Sequence, residues 1–209
     1  MEQPIPQLRE RLTEEEYLKF ESESPHRHEF RDGKIVDMAG GSWEHGRIAL
    51  NFLSFLSGRL RGKRCSPVGS DVGVRIDKVG HYSYPDGMIV CGQPEFASPN
   101  SRTIITNPPV VIEVLSPSTE LDDHVKKFSD YRSIDSVQEY VIVSQDKPQV
   151  ETYYRQPEGI WAIGPTITGL DKAVRLRSIE LEIPLGEIYA EIEFPKLSSQ
   201  VEGDLDSPT

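Results

Sequence analysis

The stretch Val110-Val111-Ile112-Glu113-Val114-Leu115 decides the fold, because five apolar residues surround a single carboxylate in a run of strand length. Continuous Val/Ile-rich runs of this kind are typical of strands that are covered on both faces. Similar runs occur at Met88-Ile89-Val90-Cys91 and at Tyr140-Val141-Ile142-Val143. The segment from about Thr119 to Ile134 predicts a helix between the strand that contains Glu113 and the strand that begins at Tyr140. The order strand, helix, strand predicts a right-handed crossover and a parallel pairing.

The remaining segments predict further hairpins and helices around this centre. Thr13-Glu14-Glu15-Glu16 is a capping box that predicts a first helix. Other predicted elements are a hairpin over His28 to Ala39 with Asp32-Gly33 as its turn, a helix through Ile48, Phe52, Phe55, Leu56 and Leu60 that ends at Gly62, a half-exposed strand over Val68 to Asp77, strands over Val150 to Arg155, Ile160 to Ile163 and Val174 to Ile183, and a short helix over Leu185 to Tyr189. We therefore expect one α/β domain over residues 13–192, with a mixed central sheet flanked by helices. Residues 1–12 are expected to be flexible and residues 193–209 to form a disordered acidic tail.

Composition restricts the classes of function. The chain of 209 residues is 36% hydrophobic and 27% charged, which is within the globular range. It has neither an apolar run of membrane-spanning length nor a signal-peptide pattern, so we expect a cytoplasmic protein with no membrane partner. Its two cysteines, Cys65 and Cys91, lie among apolar residues and are expected to be buried thiols. A net charge of −11 counts against binding nucleic acid non-specifically, so any DNA binding must rest on local patches.

Two carboxylates stand where they are costly. Glu113 interrupts an apolar strand, where an ionised side chain costs several kcal/mol unless it is paired or bound to a cation. Asp86 stands directly ahead of Met88-Ile89-Val90. Adjacent strands that offer one carboxylate each at the same sheet edge suit Mg²⁺, which takes few carboxylates and keeps several waters. An alternative of about equal weight is that Asp86 caps a turn after Pro85 and Glu113 pairs with a lysine or arginine.

The helix after Glu113 offers a third participant. Leu121, Val125, Phe128 and Ile134 predict its buried stripe, and Ser116-Pro117-Ser118-Thr119 offers capping at its start. Lys127 and Tyr131 lie four residues apart on one face, so Lys127 can reach back over the sheet edge. The alternative is that Lys127 pairs with Asp123, and Lys126 with Asp122, as ordinary surface ion pairs.

Taken together, these motifs resemble the Uma-type family of restriction endonucleases, a branch of the PD-(D/E)xK nuclease superfamily. The resemblance rests on Pro85-Asp86, Ile112-Glu113-Val114-Leu115-Ser116-Pro117-Ser118-Thr119, Lys127-Phe128-Ser129-Asp130-Tyr131 and Glu139-Tyr140-Val141-Ile142-Val143. It extends to Glu29, the Asp32-Gly33 turn and His45, and covers about residues 17–189. It implies a restriction-endonuclease-like core that cleaves DNA with Mg²⁺, or with Mn²⁺ as a substitute.

The resemblance also implies roles for single residues. Asp86 and Glu113 would ligate Mg²⁺ together with the Val114 carbonyl. Lys127 would replace the superfamily lysine, whose usual position two residues after the acid is Leu115 here, and Lys126 is the fallback. Two alternatives are open for each of three further residues. Glu29 either resembles the superfamily acid that assists a second cation, or it pairs with Arg31 or Lys34. His45 either contacts phosphate or bonds to a backbone group, and Tyr131 either positions Lys127 or packs in the core.

The reaction expected from this site is the in-line attack of water on a phosphodiester, with Lys127 orienting the water or stabilising charge on the phosphate. Basic residues at Arg59, Arg61, Lys63, Arg64 and Arg75 would support this function if they line a groove beside the carboxylates.

Two alternatives are a catalytically silent nuclease-fold module for binding or regulation, and a structural protein in which Asp86 and Glu113 form salt bridges. Exposed edge strands and a twofold DNA substrate are compatible with a homodimer, which the sequence itself does not show.

Overall fold

A computed structural model describes residues 11–38, 40–76, 80–99, 101–115 and 121–194, with the side chains of residues 121–124 left out. Residues 195–209 of the predicted tail, most of the N-terminal segment and the capping sequence at 116–119 lie outside these residues, as do the side chains of Asp122 and Asp123. The tail is predicted to begin at residue 193, but Phe194 packs on Tyr189. The helices are α1 (Glu14–Glu23), α2 (Trp43–Leu60), α3 (Leu121–Tyr131) and α4 (Leu185–Ile188). None of the helices within these residues is long and apolar enough to cross a membrane.

The strands follow in chain order. They are β1 (His28–Arg31), β2 (Lys34–Asp37), β3 (Cys65–Gly69), β4 (Gly73–Ile76), β5 (His81–Ser83), β6 (Gly87–Cys91), β7 (Phe96–Ser98), β8 (Ser101–Ile105), β9 (Val110–Leu115), β10 (Glu139–Ser144), β11 (Gln149–Arg155), β12 (Trp161–Ile163), β13 (Ile167–Thr168), β14 (Ala173–Leu176) and β15 (Leu181–Pro184). The predicted capping box is present, since the Thr13 side chain accepts the Glu16 amide and the Glu16 carboxylate accepts the Thr13 amide. The predicted hairpin is β1–β2, whose turn holds Asp32 and Gly33 at positive φ.

The central sheet is mixed, as predicted. Its order in the described part of the chain is β12-β11-β10-β9-β6-β3, with β13 beside β11. The β9–β10 pair is parallel and is bridged by α3, whereas β6 runs antiparallel to both β9 and β3. The start of β6 therefore lies beside the end of β9, which places the two candidate carboxylates at one edge of the sheet.

Side-chain alternation in β9 divides the core. Val110, Ile112 and Val114 pack with α2 on one face of the sheet, whereas Val111 packs with Tyr131 and Tyr140 on the other. Glu113 shares the parity of Val111, so it lies on the second face, which α3 covers. Tyr131 is 1% exposed, which confirms that α3 packs there.

Two expectations about the elements are wrong, one for a strand and one for the buried stripe of α3. The segment from Val68 to Asp77 is not one strand, because β3 ends at Gly69 and a turn leads to β4, where Val74 and Ile76 are fully buried. Separately, strands β2-β1-β5-β4-β8-β7 form a second sheet, which the sequence patterns did not indicate. Val125 is 61% exposed and is therefore not part of the buried stripe on α3.

The expectation for the cysteines is also wrong. Cys65 and Cys91 lie directly opposite each other in the antiparallel β3–β6 pair and form a disulfide. Residues opposite each other across two strands are close enough for a bridge, and this proximity is set by a register that local composition does not reveal. The bridge ties the edge strand β3 to β6, which follows Asp86.

Reduction of this disulfide is expected to lower the free energy of unfolding by roughly 3 kcal/mol, because it closes a loop with a sequence separation of 26 residues. Urea denaturation with and without a thiol reductant measures the change. The C65S/C91S double variant is the control and should not respond to the reductant. An equal response in that variant, or none in the wild type, would contradict the assignment.

Candidate functional site

Asp86 joins three elements at the edge of the central sheet. It precedes β6 directly, and its Oδ2 accepts the backbone N–H of Val114 in β9 at 2.7 Å. Its Oδ1 lies 2.8 Å from Nε2 of His45, in the first turn of α2. The side chain is 19% exposed, so one flank of the carboxylate remains open to solvent. The alternative in which Asp86 only caps its own turn is wrong, because its partners come from β9 and α2.

Glu113 is held from the helix that covers its face. Tyr131 donates its phenolic proton to Oε1 at 2.7 Å, and Nζ of Lys127 lies 3.2 Å from Oε2. Lys127 and Tyr131 are one turn apart on α3, so both side chains reach the same carboxylate. The predicted convergence of Asp86, Glu113 and Lys127 is thus present, as is the alternative that Glu113 pairs with a lysine.

Glu113 is 3% exposed, and its burial raises the pKa of the carboxyl to about 7. The positive charge of Lys127 opposes this rise, the negative charge of Asp86 adds to it, and the hydrogen bond from Tyr131 opposes it. A buried carboxylate whose proton affinity is raised by burial and by a second carboxylate at the same sheet edge is an arrangement that a divalent cation would stabilise.

His45 is not bonded to the backbone through its ring, contrary to one of the two expectations. The hydrogen bond with Asp86 raises the pKa of the imidazole, burial lowers it, and the charges of Asp86 and Glu113 raise it. A ring held in this way fixes the rotamer of Asp86. Its position at the start of α2 follows from the Ser42 cap, whose Oγ accepts the His45 amide.

A hydrogen-bonded chain leads away from Glu113 on the other side. Tyr131 Oη lies 3.1 Å from Oγ of Ser83, and Ser83 donates to Oε1 of Glu29. Glu29 is therefore not a partner of Arg31, which pairs with Asp130 at 3.2 Å. The chain of four side chains has three oxygen contacts but only two hydroxyl protons, so all three are hydrogen bonds only when one of the two carboxyls is protonated.

The positions of the side chains decide between Lys126 and Lys127 as the lysine of the site. Lys126 is exposed, and among the described residues it makes no hydrogen bond or ion pair with the carboxylates, so Lys127 is the lysine that reaches Glu113. Leu115 packs on the same face as Glu113. The strand position two residues after the acid is therefore apolar, but a lysine on α3 can still reach the acid, because α3 covers the face of the sheet that carries Glu113.

Within the described residues, the five basic residues that would support a nuclease do not line a groove beside the carboxylates. Arg59, Arg61, Lys63 and Arg64 lie at the end of α2 opposite to His45, and the 18-residue helix has a length of about 27 Å. Arg75 pairs with Glu14 at 3.0 Å. The condition that would have supported the nuclease function is therefore not met, because Arg59 lies in the last turn of α2 and Arg61, Lys63 and Arg64 follow it, whereas His45 lies in the first turn.

Two carboxylates, those of Asp86 and Glu113, are the side chains that this site offers to a hard divalent cation. Within the described residues, no group of three or more His, Cys, Asp or Glu side chains could hold a metal ion. Counting only partners in the described part of the chain, Asp86 and Glu113 have one on each carboxylate oxygen, which leaves each oxygen a further lone pair. This set suits Mg²⁺, which is commonly bound through one or two carboxylates and several waters. The Val114 carbonyl stays a predicted ligand.

Ser83 is the residue of this site that the sequence did not indicate. It lies on the three-residue strand β5, which is too short to give an alternating pattern. The only signal was its position three residues before Asp86, and hydroxyl residues are too common in loops for that to be informative.

The chain is similar to several known proteins. A family model described as "Putative restriction endonuclease" matches residues 14–186. An uncharacterized protein of Synechocystis sp. is 33% identical over 184 residues, which are 88% of this chain and 94% of the relative. A second uncharacterized protein of that organism is 34% identical over 152 residues, which are 73% of this chain and 85% of the relative. The crystal structure of a "putative nuclease" from Anabaena variabilis has a TM-score of 0.65 at 18% identity, covering 85% of this chain and 97% of that one.

Substitution of Glu113 by Gln is expected to change the pH dependence of stability. The folded protein without divalent ions holds a proton on Glu113 up to about pH 7, whereas the unfolded chain releases it near the ordinary value of 4.5. The wild type therefore loses this stabilisation as pH rises through that window. The stability of the variant relative to wild type should increase from pH 5 to pH 8, by about 3 kcal/mol at most.

Chemical denaturation in EDTA at several pH values measures this difference. The absolute stability of the variant is not decisive, because the amide also weakens the contact with Lys127. A mutant-minus-wild-type difference that stays flat from pH 5 to pH 8 would show that Glu113 is ionised in the folded protein throughout.

Proposed function

We propose that this chain, which belongs to the family described as "Putative restriction endonuclease", hydrolyses DNA phosphodiester bonds at the Asp86–Glu113–Lys127 site with Mg²⁺ as its cofactor. The observation that carries the proposal is the contact of Lys127 with Glu113 at the sheet edge where Asp86 also lies. A buried carboxylate, a second carboxylate and a cation from a facing helix are the residue types of the PD-(D/E)xK superfamily. Here the lysine comes from α3 and not from the strand.

Each side chain has a definable role in this reaction. Mg²⁺ held by Asp86 and Glu113 would neutralise charge on the phosphate and lower the pKa of a bound water. Lys127 donates hydrogen bonds, so it orients the attacking water or stabilises the charge that develops on the phosphate oxygens. No nucleophilic side chain is required for this hydrolysis.

Other residues hold these groups in place. His45 fixes the rotamer of Asp86, and Tyr131 fixes that of Glu113. Ser83 and Glu29 extend the hydrogen-bonded chain behind Tyr131. Because a carboxylate that is supported by fixed donors loses less freedom on binding a cation, these four residues are positioning residues in the proposal.

A plasmid-cleavage assay with Mg²⁺ or Mn²⁺ tests the function. Asp86→Ala, Glu113→Ala and Lys127→Ala are each expected to reduce the rate about 100-fold or more, because each removes a ligand or the charge that faces the phosphate. Lys126→Ala is the matched control, since it removes the neighbouring exposed lysine, and should retain the wild-type rate. Cleavage that survives Asp86→Ala would contradict the proposed site.

Tyr131→Phe separates positioning from a direct role in catalysis. The variant removes only the phenolic hydroxyl, and with it the hydrogen bond to Glu113 and the contact with Ser83. It is therefore expected to weaken Mn²⁺ binding about tenfold, which is the lower range for loss of a residue supporting a metal ligand. Cleavage should then recover at saturating Mn²⁺. A rate that remains low at saturating metal would show that the phenol acts on the substrate. Calorimetric titration gives the affinity, and the cleavage assay gives the rate.

A catalytically silent nuclease-fold module for binding or regulation is the second candidate. It is favoured by the distance of the exposed cations from the carboxylates and by the net charge of −11. Divalent-ion binding by the wild type without cleavage of any plasmid would favour this candidate over the nuclease. A homodimer stays a prediction, for which sedimentation of the wild type is the direct measurement.

A further inference from the structure

Four cations that do not belong to the candidate site lie together at one end of the molecule. Arg59, Arg61, Lys63 and Arg64 fall within six residues, and all four side chains are exposed. Within the described chain none of them has a carboxylate partner, and Arg59 only stacks over the ring of Phe55, at 5.2 Å. We call this group the α2–β3 basic cluster. In a chain of net charge −11 it is a local site of positive potential.

Helix electrostatics explain only part of this cluster. A basic residue in the last turn of a helix is stabilised by the negative end of the helix dipole, and Arg59 occupies that turn of α2. Arg61, Lys63 and Arg64 lie beyond Leu60, in the turn before β3. Three like charges in a short turn repel one another, and no described carboxylate pairs with them, so an external anion is the simplest partner for them.

The edge strand β3 connects the cluster to the carboxylate pair. It begins at Cys65, directly after Arg64, and runs antiparallel to β6 until Gly69 lies opposite Gly87. Asp86 is the residue before Gly87. Four strand steps correspond to about 14 Å, so the cluster and the candidate site lie at the two ends of one short strand.

The exposed side of β3 is uncharged between these ends. Its residues are Cys65, Ser66, Pro67, Val68 and Gly69, so no carboxylate of this strand would repel a phosphate. Pro67 has no amide proton, which weakens the addition of a peptide strand to this edge. The strand therefore suits a polyanion that lies along it better than a β-strand from a protein partner.

We propose that the α2–β3 basic cluster binds the phosphate backbone of the nucleic acid whose scissile phosphate lies at Asp86 and Glu113. The inference rests on the proposed function and identifies where the substrate strand runs. At about 3.4 Å of axial rise per nucleotide, the cluster contacts phosphates roughly four to five nucleotides from the scissile bond. An acidic protein thus concentrates its electrostatic attraction for DNA on one end of the strand and not around the metal.

Fluorescence anisotropy with a labelled 20-base-pair duplex in Ca²⁺ tests the contact separately from cleavage. The R61Q/K63Q/R64Q variant is expected to bind at least tenfold more weakly than wild type at 100 mM salt. Its slope of log Kd against log salt concentration should fall by about 2 to 3, since each lost phosphate contact contributes about 0.9. Unchanged thermal unfolding excludes a folding defect.

The matched control is R132Q/K172Q/R175Q, which makes the same change in net charge with three exposed cations outside the cluster. It is expected to alter the affinity less than twofold. Equal losses in the two triple variants would show an effect of net charge alone and overturn the proposal. Absence of any duplex binding by the wild type would overturn it as well.

The two proposals fail in different ways. If cleavage depends on Asp86 but the R61Q/K63Q/R64Q variant binds DNA like wild type, the cluster is not the backbone contact and the nuclease function stands. If that variant loses affinity but no plasmid is cleaved by the wild type, the cluster is a nucleic-acid surface of a silent module.

Discussion

The burial of Glu113 within the apolar strand β9 is the constraint on which the site depends. An ionised carboxylate at 3% exposure must be compensated, and the compensation comes from α3. Lys127 and Tyr131 supply a charge and a hydrogen bond from successive turns of that helix. The packing of α3 on the sheet and the stabilisation of the Glu113 carboxylate therefore depend on each other, because moving the helix would expose the acid or leave it unpaired.

The same constraint explains how the two sheets meet at the site. Ser83 of β5 belongs to the second sheet, whereas Glu113 belongs to the central one, and the hydroxyl of Tyr131 lies between them. His45 completes the arrangement from the opposite layer, since α2 packs on the other face of the central sheet. Elements from both sheets and from both faces of one sheet thus converge on two carboxylates, which restricts their movement before any ligand is present.

The sequence predicted the parts of this arrangement that local patterns determine. The apolar runs identified β6, β9 and β10, and helical spacing placed Lys127 with Tyr131. Pairings between distant segments were not accessible in this way. The contacts of Ser83 with Glu29 and of Cys65 with Cys91 depend on strand register, which no local pattern encodes. Val125 was predicted to be buried but is exposed, because helical periodicity identifies the apolar stripe of α3 and does not indicate where the sheet that covers this stripe ends.

The charge distribution bears on how an acidic protein of this family could handle a polyanion. At physiological ionic strength charges more than about 8 Å apart in solvent are largely screened, so a net charge of −11 acts mostly through its nearest members. A phosphate on β3 would feel the adjacent cations of the α2–β3 basic cluster more than carboxylates elsewhere on the surface. At the other end of the strand, Lys127 is close to Glu113 and partly neutralises it. A cation bound there would shift the local balance further, so the attraction for DNA at the reacting end would depend on the metal, whereas the attraction at the cluster would not.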